Sequence, residues 1–168
     1  PNFLPAIATH ALASMRAWST PRDGNDATNW QENARISVER AMAVASELPE
    51  SHLAYALYSL NRGKLKDAAQ ALVHALEIAP TFAEAHQVLG QLQCEAGRAS
   101  EGVKRLELAL YLNPTMSLCR IDLARVAALR GDMATYDKHV AYFDENRIAG
   151  GIAFLRMRVG AWVKDKSR

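Results

Sequence analysis

Three glycines, Gly63, Gly97 and Gly131, recur along the chain at a constant interval. Pro80 and Pro114 are separated by the same interval, and each ends a similar sequence segment, Ala-Leu-Glu-Ile-Ala-Pro and Ala-Leu-Tyr-Leu-Asn-Pro. Independent series that share one period, here about 34 residues, indicate a repeated structural unit that buries its apolar face against the next unit. This period therefore constrains the fold more than any other feature of the sequence.

Each repeat divides into two helical stretches on either side of its glycine. In the second repeat, residues 82–96 carry apolar side chains at helical spacing, and residues 99–112 do so again. Gly97 between them is typical of the residue just past a helix end, and Pro114 follows the end of the second stretch. Gly90, midway along the first stretch, predicts that the paired helices approach closely.

The composition also favours an all-α fold. Alanine and leucine account for 49 of the 168 residues, whereas valine, isoleucine and threonine together account for 21. No apolar run approaches the roughly 18 residues that a membrane-spanning helix needs. Cys94 and Cys119 are the only cysteines, which is too few for a disulfide framework and favours a reducing compartment, so we expect a cytoplasmic protein.

The chain on both sides of the three repeats can be interpreted in the same way. Residues 3–46 predict a helical hairpin whose second helix covers 30–45, after a long loop over the turn-forming residues 19–29. Residues 151–164 predict an amphipathic helix that caps the open end of the array. We therefore expect one domain over residues 1–168, with repeats at 49–80, 83–114 and 117–148, the last of them degenerate.

The repeat resembles the tetratricopeptide repeat, whose signature over about 34 residues is W-x2-L-G-x2-Y, then A-x3-F, then P. The second repeat reads His86-x2-Leu89-Gly90-x2-Gln93, then Gly102-x3-Leu106, then Pro114. The tryptophan and tyrosine of the signature are never matched, and the third repeat has Tyr136 in place of a small residue. The resemblance implies an all-α, right-handed superhelix of antiparallel helix pairs, about three and a half to four repeats long, with a C-terminal capping helix.

The resemblance also implies a concave groove lined by the first helix of each repeat. The groove-facing positions of the family fall on apolar, amide and charged residues: Leu12, Met15, Arg16, Leu53, Leu57, Leu60, Asn61, Gln87, Gln91, Glu95, Ile121 and Arg125. Leu53, Leu57 and Leu60 share one helix face and suit an apolar helix or an extended peptide. Arg16 and Arg125 are expected to orient that partner.

The function implied by the resemblance is non-catalytic protein–protein interaction, without a cofactor, as part of a larger bacterial regulatory protein. The sequence contains no Cys-x2-Cys pair, no His-x3-His with a glutamate and no glycine-rich phosphate loop. His52 and His86 occupy equivalent positions on helices that pack about 8–10 Å apart. They are too far apart to share a metal ion with bonds of about 2 Å, so we expect both to be packing residues.

Two alternatives stay open at this point. Self-association through the groove or through the C-terminal helix would make the chain a homo-oligomer. A nucleic-acid partner is not expected, because the 13 basic residues of 85–168 are interleaved with 9 acidic ones. The C-terminal helix carries Arg156 and Arg158 and could touch an anionic membrane, although capping is the expected role.

Overall fold

A computed structural model describes residues 3–20, 27–148 and 151–163 of the chain. The regular secondary structure of these residues is entirely α-helical, which confirms the predicted all-α fold. The helices are α1 Leu4–Ser19, α2 Ala27–Val44, α3 Pro49–Asn61, α4 Leu65–Ile78, α5 Ala83–Glu95, α6 Ala99–Leu112, α7 Ser117–Leu129, α8 Met133–Glu145 and α9 Ile152–Val163. None of these helices has the length and apolar composition needed to cross a bilayer.

Helix extends into both ends of the loop that was predicted between α1 and α2. That loop was expected over 19–29, but α1 ends at Ser19 and α2 already starts at Ala27. The central part of the predicted loop, residues 21–26, lies outside the described residues.

The three regularly spaced glycines form the turns between paired helices. Gly63, Gly97 and Gly131 have φ angles of 71°, 81° and 75°, in the left-handed region where a side chain is strained. After the first of them, the N–H of Lys64 donates to the carbonyl oxygen of Ser59 at 2.8 Å. The equivalent bond recurs at the other two glycines, at 2.8 and 2.9 Å, so each glycine ends its helix in the same way.

Packing divides the chain into two compact units, an N-terminal unit Pro1–Leu89 and a C-terminal unit Gly90–Arg168. In the N-terminal unit α1 packs on α2, α3 packs on α4, and α3 also contacts both α1 and α2. In the C-terminal unit α7 packs on α6, α8 and α9. The boundary falls inside α5. That residues 1–168 form a single domain stays a prediction.

The C-terminal helix covers the apolar face of the last helix pair. Ile152, Leu155 and Val159 of α9 are buried in one cluster with Tyr136 and Phe143 of α8. Alanines of α7 complete this cluster and leave room for the large side chains. α9 thus has the capping position that the sequence predicted for it.

Within the C-terminal unit, α5 and α6 touch at two glycines. A Cβ atom added to Gly102 would lie 2.5 Å from the carbonyl oxygen of Gly90, and closer still to the sulfur of Cys94. A Cβ atom added to Gly90 would lie 2.9 Å from the carbonyl oxygen of Gly102. The two backbones can approach this closely only because neither position carries a side chain.

Candidate partner-binding surfaces

In the N-terminal unit, an exposed ion pair connects the first helix with the fifth. The Nη2 atom of Arg16 on α1 donates to both carboxylate oxygens of Glu84 on α5, at 2.8 Å each. The side chains are 62% and 40% exposed, so water screens the pair and it adds little to stability. The pair nevertheless places two opposite charges on the exposed surface of α1 and α5.

Polar and aromatic contacts near the end of α1 hold that helix against α3. The side-chain amide of Asn61 donates to the hydroxyl of Ser19 at 3.3 Å. The rings of Trp18 and Tyr58 lie 6.1 Å apart, centroid to centroid, in a tilted arrangement. Arg16 therefore belongs to a helix end that is fixed on the neighbouring first helix.

Four residues of the predicted groove are buried. Leu12, Met15, Leu53 and Gln87 belong to the interior of the protein, where a partner cannot reach them without opening the packing. We therefore correct the proposed surface by removing them. Neighbouring helices cover these side chains, and a family position alone does not show how far that cover extends.

Leu57 and Leu60 of α3 are only partly buried. They lie three residues apart on one helix and keep part of their apolar surface in contact with solvent. Together with Arg16 and Asn61, they are the members of the predicted groove that the N-terminal unit leaves accessible.

In the C-terminal unit, three residues predicted to line the groove lie in one polar network. Arg125 of α7 donates to Asp122 at 3.1 Å, and its Nη2 atom lies 3.7 Å from a carboxylate oxygen of Glu95. Gln91 donates to that same carboxylate at 3.0 Å. The side chain of Arg125 is 20% exposed and that of Asp122 is 10% exposed, so this cation is far better fixed than Arg16.

Ile121 takes a different role from its neighbours in the predicted groove. It is partly buried and packs against the cluster formed by α7, α8 and α9. Its remaining exposed surface lies one turn before Arg125 on the same helix.

Equivalent positions of successive repeats make one recurring contact. The Nε2 atom of His52 lies 2.7 Å from the carbonyl oxygen of Ser46, and that of His86 lies 2.8 Å from the carbonyl oxygen of Pro80. Arg120, at the third equivalent position, also donates to the carbonyl oxygen six residues before it. Each of these side chains ties the start of a first helix to the segment that precedes it.

The two cysteines are free thiols. Burial, with a smaller contribution from Asp122, raises the pKa of Cys119 to about 12. Burial also raises the pKa of the partly buried Cys94. Both side chains are therefore protonated at neutral pH, which does not suit a nucleophile. Among the described residues, no three histidine, cysteine or acidic side chains gather into a metal site.

A second concavity in the N-terminal unit lies away from the predicted groove. It has a volume of about 760 Å³ and is lined by residues of α2, α3 and α4, including Met42, Tyr55 and Val73. The rings of His52 and His74 lie beside it, 5.6 Å apart. Sequence reasoning missed this concavity because second helices contribute most of its lining.

Comparison with known proteins identifies a family for the central segment of the chain. Residues 59–133 match the family described as tetratricopeptide repeat. This segment of the chain carries tetratricopeptide repeats. The matched residues run from the end of α3 to the start of α8 and so include the glycine contact between α5 and α6. No curated protein matches the chain with significance.

Solved structures share the tetratricopeptide fold. One is pilF of Pseudomonas aeruginosa, with 18% identity and a TM-score of 0.72 over 96% of this chain and 69% of that one. Another is MamA, with 12% identity and a TM-score of 0.64 over 88% of this chain and 82% of that one. At such identities the likeness concerns the fold alone.

The tetratricopeptide fold is in general a scaffold for protein–protein interaction, and proteins of this family are typically non-catalytic. The fold therefore indicates protein partners as a class. Which partner binds, and where, depends on the side chains of each array.

Two charged residues of these surfaces escaped the sequence analysis, Glu84 and Asp122. Asp122 lies three residues before Arg125 on α7, a spacing that favours ion pairs on a helix and could have revealed it. Glu84 lies 68 residues from Arg16, and no local pattern connects the two.

Proposed function

We propose that the chain is a non-catalytic interaction module, within a larger bacterial regulatory protein, that binds a peptide or helix of a protein partner on its first helices. The observation that carries this proposal is the surface of the N-terminal unit. There the partly buried Leu57 and Leu60 of α3, and the exposed ion pair between Arg16 of α1 and Glu84 of α5, all belong to first helices. Apolar anchors and charged groups together are the composition of a recognition surface.

The two leucines supply the apolar part of that surface. Because each keeps some area exposed, a partner side chain that covers them removes this area from water. Two anchors three residues apart on a helix match the spacing of apolar residues on an amphipathic partner helix.

The ion pair supplies orientation. Its carboxylate and guanidinium are exposed and weakly coupled through water, so a partner carboxylate can replace Glu84 on Arg16 at small cost. Asn61 adds a side-chain amide near the same end of α1. A partner with an acidic residue beside its apolar stripe would satisfy both features.

The C-terminal unit offers a second set of polar groups on α5 and α7. Arg125 is fixed by Asp122 and Glu95, and Gln91 is bonded to the same glutamate. Groups fixed in this way lose little conformational entropy when a partner binds, which favours specific polar recognition.

The test is affinity capture from a lysate of the source organism with the wild-type chain and two variants. Leu57→Glu places a charge on the proposed surface at a partly buried position. Val73→Glu makes the same kind of change at an exposed position of α4, in the same unit but on a second helix. The captured protein is identified by mass spectrometry, and its affinity for each purified variant is then measured by calorimetry.

We expect a partner that binds the wild type and Val73→Glu and loses at least about tenfold in affinity for Leu57→Glu. Circular dichroism must show that both variants keep their helices. A partner that Leu57→Glu still binds at full affinity, or that only Val73→Glu loses, would show that the first helices are not the binding surface. If instead the wild type is a dimer that Leu57→Glu dissociates, the surface serves self-association.

A further inference from the structure

α9 presents apolar side chains on two opposite faces. Its inner face is buried in the C-terminal unit through Ile152, Leu155 and Val159. Its outer face leaves three large apolar side chains in solvent: Phe154 at 60%, Met157 at 63% and Trp162 at 40% exposure. Helices that are apolar all round are normally covered on every side. The outer face of α9 is therefore a candidate docking surface.

A positive charge lies in the middle of this outer face. The guanidinium carbon of Arg158 is 5.5 Å from the ring centre of Phe154 and 5.1 Å from that of Trp162. The three residues follow each other at intervals of four, so they form one line along the helix. α9 contains no acidic residue, and its other arginine, Arg156, bonds to Asp144 on α8.

The charge of the chain is concentrated at the same end. Residues 152–168 contain five lysines and arginines against one aspartate, a net charge of +4. Residues 1–151 contain 15 basic and 17 acidic residues, a net charge of −2. Because Arg158 lies on the outer face of α9, an occupant that complements this face combines negative charge with apolar groups.

We propose that the outer face of α9 binds the surface of an anionic lipid bilayer. The boundary between headgroups and acyl chains accepts aromatic rings and methionine, while lipid phosphates accept hydrogen bonds from arginine. Phe154, Met157 and Trp162 enter this boundary, and Arg158 pairs with phosphate. A nucleic acid would use the charge but not the aliphatic part of the strip. A protein would need acidic and apolar groups on the same face, which a bilayer offers everywhere.

This inference goes beyond the proposed function, because no residue of the first-helix surface takes part in it. If α9 does not bind lipid, the proposal for the first-helix surface is unaffected, and the reverse also holds.

Flotation of the purified chain with lipid vesicles tests the proposal. The vesicles are phosphatidylcholine alone, or phosphatidylcholine with phosphatidylglycerol at about three to one, in physiological salt. We expect binding to the anionic vesicles only, with a loss of binding in high salt because the charges are then screened. The double variant Phe154→Ser, Trp162→Ser is expected to bind at least about tenfold more weakly.

Two matched controls distinguish binding through the outer face of α9 from nonspecific apolar adsorption and from nonspecific electrostatic attraction. Tyr111→Ser removes an exposed aromatic ring from α6 of the same unit and is expected to bind as the wild type does. Arg158→Glu and Lys104→Glu change the net charge equally, but only Arg158→Glu is expected to lower the affinity, by about tenfold or more.

Three results would overturn the proposal: no flotation of the folded wild type, equal binding to both vesicle types, or equal losses for Arg158→Glu and Lys104→Glu. Light scattering is run on the same samples. A wild-type oligomer that the double variant dissociates, without vesicle binding, would assign the outer face to a second copy of the chain.

Discussion

His52 and His86 make the same contact in consecutive repeats. The Nε2 atom of each lies close to the backbone carbonyl oxygen six residues earlier, at 2.7 Å for His52 and 2.8 Å for His86. For the contact to be a hydrogen bond, Nε2 must carry the proton and donate it. The histidines thus hold the segment that links one helix pair to the next. They occupy the place of the tryptophan in the repeat signature and replace its bulk with a directed bond.

Replacing His86 with leucine is expected to lower the free energy of unfolding by about 1–2 kcal/mol, because the carbonyl of Pro80 loses its donor. Urea unfolding followed by circular dichroism measures the change. Glutamine, whose amide can also donate, is expected to recover part of the loss. Equal stability of the leucine variant and the wild type would show that the bond contributes nothing.

Gly102→Ala is expected to destabilise the chain by about 1–3 kcal/mol, although alanine favours a helix by about 1 kcal/mol over glycine. The added Cβ would meet the carbonyl oxygen of Gly90 and the sulfur of Cys94, so α5 and α6 must separate. Thermal and urea unfolding measure the effect.

The double variant Gly102→Ala, Cys94→Ala provides the control for this steric argument. Removal of the sulfur relieves one of the three collisions, so Gly102→Ala should cost less in the Cys94→Ala background than in the wild type. Strictly additive effects would mean that the sulfur does not limit the approach of the helices.

Asp122→Asn and Glu84→Gln are expected to differ in their effect on stability, although each removes the charge of an arginine partner. Arg125 and Asp122 are largely buried, so loss of the charge leaves a poorly solvated guanidinium and costs about 1–3 kcal/mol. Arg16 and Glu84 are exposed, so Glu84→Gln is expected to stay within about 0.5 kcal/mol of the wild type.

Unfolding titrations of the two variants under identical conditions make this comparison. An equal loss in both would show that burial does not distinguish the two ion pairs.

The raised pKa of Cys119 predicts a loss of stability at alkaline pH. Burial raises this pKa from 9.0 to about 12, so between these values the thiol ionises in the unfolded chain but not in the folded one. Below pH 9 the thiol of Cys119 makes a constant contribution to the free energy of unfolding. Between pH 9 and about 12 this free energy falls by about 1.4 kcal/mol for each pH unit.

Other groups titrate in the same range, so the wild type is compared with Cys119→Ser, which cannot form a thiolate. The difference in stability between the two is expected to shrink between pH 9 and 10.5. A difference independent of pH would contradict the burial of an un-ionised thiol.

The sequence predicted the helices well because their signals are local. The apolar spacing of residues 99–112 and the flanking Gly97 and Pro114 delimit α6 at the same residues that the structure gives, Ala99–Leu112. α5 was expected over 82–96 and covers Ala83–Glu95. Periodicity, a left-handed glycine and a helix-ending proline each act within a few residues, so a single sequence suffices to recognise them.

The surface was harder to predict because exposure depends on neighbouring helices. Leu53 and Leu57 lie on one face of α3 and look equivalent in the sequence, yet Leu53 is buried and Leu57 is partly exposed. Gln91, Glu95 and Arg125 were predicted on the groove, and the structure brings them together. The ion pair between Arg16 and Glu84 depends on the relative positions of α1 and α5. Because the two residues are 68 positions apart, no local sequence pattern predicts this contact.

The glycine turns have a consequence for how chains of this kind change in length. Gly63, Gly97 and Gly131 share one backbone conformation and one hydrogen bond, and they recur at a constant interval along the chain. A segment copied or deleted between two such glycines would carry the second helix of one pair, the first helix of the next pair and a matching turn at each end. Recombination at these three points is therefore expected to yield folded arrays of other lengths, because each new junction joins a first helix to a second helix through the same turn, whereas a cut inside a helix would interrupt its backbone hydrogen bonds.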